Sequence, residues 1–120
     1  MVLADTSVWI SHLREGNAGL ETLLDDGHVV CHPFIIGELA CGNLKNRSEI
    51  LSLLHVLPVT IHAEHEEVMQ FIGDYRLMGK GLGYIDMHLL ASAILSKTPL
   101  WTFDKRLREV SVGLGADFRS

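Results

Sequence analysis

The sequence predicts an α/β domain in which a short parallel sheet is covered by helices on both faces. Brief apolar or β-branched runs alternate with helical segments, which is the pattern of βαβ units. A length of 120 residues makes one domain, spanning 1–120, with enough interior to fold without staples. Hydrophobic residues make up 48% and charged residues 21%, a globular balance, and neither repeats nor low-complexity tracts interrupt it.

The elements follow in order. Val2-Leu3-Ala4 is a brief apolar run suited to a buried strand. Asp5-Thr6-Ser7 then supplies capping chemistry for a helix carrying Val8, Trp9, Ile10 and Leu13. Gly16-Asn17 ends that helix, Leu20, Leu23 and Leu24 mark a second, and Asp26-Gly27 turns the chain into the strand His28-Val29-Val30-Cys31. Pro33 suits the first turn of a helix running to about Cys41. Another helix covers Ser48 to His55, and Leu57-Pro58-Val59 is extended, because a residue before proline avoids the helical region. From His62 to Met78 apolar residues recur at near-helical spacing. Gly79, Gly81 and Gly83 make a flexible loop before a strongly apolar helix, Ile85 to Leu95. Leu100-Trp101-Thr102-Phe103 reads as a strand, Lys105 to Val112 as the last helix, and Gly113 to Ser120 as a tail.

Composition excludes several classes. Two cysteines, Cys31 and Cys41, form no disulfide framework and match no zinc-binding spacing, and their apolar neighbours favour buried free thiols in a reducing compartment. No apolar run approaches the roughly 20 residues of a membrane span, and Met1 to Asp5 lacks the basic leader of a signal peptide. The expectation is a soluble cytoplasmic protein with no membrane partner. A net charge of −5, from 15 acids against 10 bases, argues against coating nucleic acid by bulk attraction.

The position of the acids matters more than their number. Asp5 follows the first strand and Asp104 a late one, so both fall at the carboxyl edge of the sheet, where ligands gather in such folds. Asp86 opens an apolar helix, and Glu38 is flanked by apolar residues, which predicts partial burial. Taking an ionised carboxylate from water costs several kcal/mol unless it is paired or metal-bound. Converging carboxylates also raise one another's pKa, and a hard divalent cation, Mg²⁺ or Mn²⁺, relieves both problems. Singly, each acid has a plainer reading. Asp5 and Asp104 serve as N-caps, Asp86 complements a helix dipole, or Glu38 pairs with an arginine.

Four segments together resemble the ordered motifs of PIN-domain nucleases. They are Leu3-Ala4-Asp5-Thr6-Ser7-Val8-Trp9-Ile10, Gly37-Glu38-Leu39-Ala40-Cys41-Gly42, Gly83-Tyr84-Ile85-Asp86-Met87-His88-Leu89-Leu90-Ala91-Ser92-Ala93 and Leu100-Trp101-Thr102-Phe103-Asp104-Lys105-Arg106-Leu107. Order and length look like the VapC toxins of bacterial and archaeal toxin–antitoxin pairs. The resemblance implies a PIN-like three-layer α/β/α sandwich around a short parallel sheet. It further implies a metal-dependent endoribonuclease with Asp5, Glu38, Asp86 and Asp104 as catalytic carboxylates holding Mg²⁺ or Mn²⁺, a VapB-like antitoxin partner, and a homodimer. Thr6 and Thr102 match positions where a hydroxyl supports the acids. Lys105 and Arg106 stand where many family members carry another acid.

The expected chemistry is hydrolysis of an RNA phosphodiester by metal-activated water, with Asp5 and Asp86 as direct ligands and Glu38 and Asp104 completing the shell or orienting the water. Lys105, Arg106 and Arg108 begin one residue after Asp104 and are candidate phosphate contacts at the rim. If four acids belong to the site, 11 acids remain against 10 bases, so the rest of the surface is nearly neutral. His62 and His65 read as an exposed polar face rather than a zinc pair, His88 points away from Asp86, and Trp9 and Trp101 read as core. Gly79-Lys80-Gly81-Leu82-Gly83 lacks the spacing of a phosphate-binding loop. Two other functions compete. A receiver-like Mg²⁺-binding or phosphatase-type domain wants paired acids after the first strand, which Asp5-Thr6-Ser7 does not supply. A non-catalytic acidic module that binds a basic peptide predicts no metal-linked gain in stability.

Overall fold

The computed structural model describes residues 1–119. At its centre lies β1 (Val2–Ala4), whose three side chains are fully buried. An all-apolar run of this kind is what a strand covered on both faces requires. On one side it pairs in parallel with β2 (Val29–Val30), Val2 opposite Val29 and Leu3 opposite Val30. On the other it pairs in parallel with β3 (Leu100–Trp101), Leu3 opposite Leu100 and Ala4 opposite Trp101. Single parallel bridges extend the sheet at both edges, Cys31 to Val59 and Leu100 to Asp117.

The spatial order is therefore Val59, β2, β1, β3, Asp117. The chain steps one way from β1 and then crosses back to β3, so the order reverses between β1 and β3. That reversal is the topological switch point where a crevice opens beyond the strand ends. Asp5 and Thr102 immediately follow these two strands.

Among the described residues seven helices complete the fold: α1 (Thr6–Glu15), α2 (Ala18–Asp25), α3 (Pro33–Ala40), α4 (Arg47–Val56), α5 (His65–Asp74), α6 (Tyr84–Leu95) and α7 (Lys105–Gly113). With the usual right-handed crossover, a chain that steps outward from β1 and then returns to β3 is expected to place its earlier and later helices on opposite faces. Packing agrees, with α1 on α3, α3 on α4, and α5 on α6. Every residue of α6 from Met87 to Ala93 is buried, as befits a helix covered all round. The main core joins the sheet to α1, α3 and α6, and a smaller one gathers Val68, Leu77, Met87 and Ala91.

Several expectations change. The helix expected from His62 to Met78 is confined to His65–Asp74, because a Glu64–Glu67 capping box starts it late and Arg76 adopts a left-handed φ of 53°. The expected tail is partly built into the sheet: Leu100 N–H donates to Ala116 O at 2.7 Å, and Phe118 N–H donates to Leu100 O at 2.9 Å. Cys31 is a buried free thiol, its pKa pushed up to about 11 by burial, but Cys41 is exposed at the end of α3. Among the described residues no helix is long and apolar enough to cross a membrane.

Candidate active site

Asp5 is the N-cap of α1, and a hydrogen-bonding frame determines how it is held. Its Oδ1 accepts from Ser7 N–H at 2.9 Å, from Ser7 Oγ–H, and from Val8 N–H at 3.4 Å. Its Oδ2 accepts from Thr102 Oγ1–H at 2.7 Å. Each hydroxyl then accepts from the loop after β3, Ser7 Oγ from Phe103 N–H and Thr102 Oγ1 from Asp104 N–H, both at 3.0 Å. A hydroxyl has one proton, and both protons are committed to Asp5. The two hydroxyl oxygens, 3.4 Å apart, therefore do not bond each other.

The frame favours the ionised form, since a carboxylate accepts each of these hydrogen bonds more strongly than a neutral carboxyl. Burial works the other way and raises the Asp5 pKa, with Ser7, Thr102 and Val8 donors opposing it. Oδ1 is saturated, whereas Oδ2 receives only Thr102 among the described residues and keeps a lone pair for a ligand.

The same division recurs in the other acids. Asp86, in the first turn of α6, uses Oδ2 to accept from Gly83 N–H at 3.2 Å. Asp104, the N-cap of α7, uses Oδ1 to accept from Leu107 N–H at 2.9 Å. Glu38 uses Oε1 to accept from Thr6 Oγ1–H at 2.7 Å. In each, one oxygen is spent on a fixed donor and the other receives none among the described residues. Cap and ligand are therefore compatible roles for one carboxylate.

Electrostatics joins three of them. Burial raises the Asp86 pKa first, and the negative charges of Asp104 and Asp5 raise it further, against the Gly83 hydrogen bond. Asp5, Asp86 and Asp104 thus share one field at the switch point. Glu38 is connected through Thr6, the neighbour of Asp5, and it is exposed rather than partly buried. The buried stripe of α3 is Ile35, Ile36 and Leu39, and the 100° step per residue turns Glu38 away from it despite its apolar neighbours. Its partner is a hydroxyl, not an arginine.

The donor set suits a hard divalent cation, because every available atom is a carboxylate or hydroxyl oxygen and the repulsion at Asp86 is what a cation relieves. Among the described residues no three His, Cys, Asp or Glu side chains close into a ready-made cage.

Thr6 and Thr102 lie against Glu38 and Asp5, respectively. Ser7 was visible only as capping chemistry, yet its hydroxyl ties Asp5 to the loop after β3, a link that two segments distant in sequence cannot reveal. Lys105, Arg106 and Arg108 are exposed on α7 but do not form one patch. The Arg106 guanidinium lies over Gly81, where an added Cβ would sit 2.6 Å from Nη1 and where φ is +79°, so glycine is required there. Arg108 instead lines a groove with Trp101, Thr102 and Phe103.

The family model for the PIN domain matches residues 2–113. Two relatives are similar over most of their length: proteins named Ribonuclease VapC32 from Mycobacterium tuberculosis strains CDC 1551 / Oshkosh and ATCC 25618 / H37Rv. Each is 48% identical over 109 residues, covering 90% of this chain and 88% of the relative.

Proposed function

The chain belongs to the PIN domain family, and on that premise we propose that it is a VapC-type ribonuclease, the toxin of a VapBC-type pair, cutting RNA at Asp5, Glu38, Asp86 and Asp104. The observation that carries the reading is how the acids are held: Glu38, Asp86 and Asp104 each spend one oxygen on a protein donor with none on the other among the described residues, and Asp5 Oδ2 takes a single donor.

Asp5 and Asp86 would hold a Mg²⁺ or Mn²⁺ ion directly. When bound, the ion supplies Lewis acidity at the scissile phosphate and offsets the charge developing on its oxygens. Ser7 and Thr102 keep the Asp5 carboxylate ionised and aimed. Asp104 and Glu38 complete the shell or accept a hydrogen bond from the attacking water. Water adds to phosphorus and one P–O bond breaks, leaving a phosphate on one fragment and a hydroxyl on the other. Lys105, Arg106 and Arg108 contact the RNA backbone around the site, positioning the strand without reading its sequence.

The protein acts in the cytoplasm, held in check by a VapB-like antitoxin. A second copy is accommodated on the edge of the sheet near Val59, where Leu53, Val56, Val59 and Ile61 are all more than half exposed.

The deciding experiment incubates a total-RNA pool with the protein, with and without Mn²⁺, beside Asp5→Asn. Cleavage that needs the metal and disappears in the variant, with an unchanged circular dichroism spectrum, is the expected result. Cleavage by a folded Asp5→Asn at the wild-type rate sinks the assignment.

A further inference from the structure

A groove of about 490 Å³ adjoins the carboxylates, and Thr102 belongs to both, its hydroxyl on Asp5 and its residue in the groove wall. Three aromatic rings run along the groove. Phe103 meets Trp101 edge-on, with centroids 5.8 Å apart and planes at 82°, and Trp101 lies 5.4 Å from Phe118. Trp101 and Phe118 are half-buried, but Phe103 is 52% exposed.

A single exposed phenylalanine needs no explanation by itself. This one is unusual in how firmly its base is held. Its own N–H donates to Ser7 Oγ and the next N–H to Thr102 Oγ1, so the two hydroxyls that orient Asp5 also fix the backbone on both sides of the ring. A rigid aromatic face exposed to water thus stands one residue from Asp104 and one from Thr102. Arg108 lines the same groove, and it makes no ion pair among the described residues, whereas Arg119 is occupied by Asp117 at 3.0 Å.

We propose that this groove is a nucleotide subsite in which the free face of Phe103 stacks on an unpaired base beside the scissile phosphate and Arg108 takes a neighbouring phosphate. The proposal rests on the ribonuclease reading and deepens it by naming Phe103 and Arg108 as the residues that seat a nucleotide beside the cut. Stacking needs a base lifted out of a helix, so paired RNA is a poor occupant. Every base has a π-face, so the subsite tolerates sequence and selects for strandedness. The ring and the Asp5 carboxylate share their hydroxyl anchors, so a base seated on Phe103 is registered against the reacting phosphate.

The test compares wild type, Phe103→Ala and Phe103→Tyr on a short single-stranded oligoribonucleotide, on the same strand with abasic nucleotides flanking the cut, and on the strand in a duplex. Phe103→Ala should raise KM for the intact single strand by about five- to a hundredfold, the range for loss of one stacked base. Its kcat should stay within a few-fold of wild type, and Phe103→Tyr should restore KM. On the abasic strand wild type and Phe103→Ala should converge. An unchanged KM in folded Phe103→Ala, or an equal loss on intact and abasic strands, overturns the subsite. Quenching of Trp101 fluorescence by the oligonucleotide without metal, with Trp101→Phe as the blank, reads the groove independently of cleavage. If wild type cuts no RNA but shows quenching that Phe103→Ala removes, the nuclease reading fails and the subsite stands. If wild type cuts RNA and neither KM nor quenching changes in Phe103→Ala, the subsite fails and the nuclease reading stands.

Discussion

Two polar clusters in this chain solve the problem of buried polarity in opposite ways. Around the switch point the carboxylates are framed by donors: Asp5 accepts on both oxygens, while Asp86, Asp104 and Glu38 accept on one each. Elsewhere His32, His62 and His88 gather with Phe34 and Tyr84, held through their ring faces. His32 lies 5.3 Å from His62, His62 stacks 5.9 Å from His88, and Phe34 and Tyr84 meet His88 edge-on at 4.7 and 4.6 Å. His32 Nδ1 accepts from Phe34 N–H at 3.0 Å and caps α3, which leaves the proton on Nε2. Among the described residues that Nε2 and His88 Nδ1 have no partner. Burial, reinforced by His62 and His88, lowers the His32 pKa to about 4, and burial also leads the lowering at His88. Burial favours neutral His32 and His88, and all three imidazoles serve as aromatic packing. Burial disfavours the charged form in both clusters, but it is answered differently: donors facing Asp5 oppose it, while the neighbouring histidines reinforce it at His32.

The sharpest way to break this contrast is Asp86→Asn. The amide keeps the acceptor for Gly83 N–H but removes a charge that burial, Asp104 and Asp5 all disfavour. Cleavage should fall by more than about a hundredfold, beyond the 10–100-fold typical of groups that merely support a ligand. In a chelator the melting temperature should rise by a few degrees, because the folded state no longer holds an ionised group whose pKa it raises. Mn²⁺ should raise the melting temperature of wild type and not of the variant. A lower melting temperature in chelator would show that the acids do not repel one another.

Ser7→Ala tests the frame. It removes one donor to Asp5 and the acceptor for Phe103 N–H. Activity should drop about 10–100-fold with the chain still folded, and a wild-type kcat would mean that Thr102 alone orients Asp5.

The histidine cluster answers to pH. The His32 pKa is lower in the folded than in the unfolded chain, so between about 6.5 and about 4 the unfolded chain binds the extra proton. Stability contributed by neutral His32 is complete above that window and falls with pH through it, by roughly 3 kcal/mol in total. Urea unfolding at pH 7 and pH 4.5 measures the fall. His32→Asn retains a capping acceptor without the titration and should flatten the profile. An equal fall in that variant would place the acid sensitivity elsewhere.

The smallest effect is expected on α7. Lys105→Ala or Arg106→Ala should weaken RNA cleavage a few-fold and make it less sensitive to salt, since each removes about one phosphate contact. A salt dependence identical to wild type would remove that residue from the RNA path.

Much of this was legible in the chain. Val2-Leu3-Ala4 announces a buried central strand, Pro33 a helix start, and Asp5 and Asp104 sit immediately before helices, so their place at strand ends follows from local pattern. The burial of Glu38 was misjudged because adjacency in sequence is not adjacency on a helix. The pairing of residues 116–118 with Leu100 was hidden because it depends on a neighbouring strand rather than on the tail itself. His62, set aside as an exposed residue, remains exposed, but it stacks on His32 and His88, which lie 30 and 26 positions away.

The sequence by itself determined the element types, their order and which four acids stand at their ends, because periodicity, capping and turn chemistry act within a few residues. Tertiary structure decided that Thr102 joins Ser7 on Asp5, that Thr6 holds Glu38, and that Phe103 stands on the Ser7–Thr102 frame. The frame around Asp5 rests on hydrogen bonds across 96 and 97 residues, whose geometry exists only once β1 and β3 lie side by side.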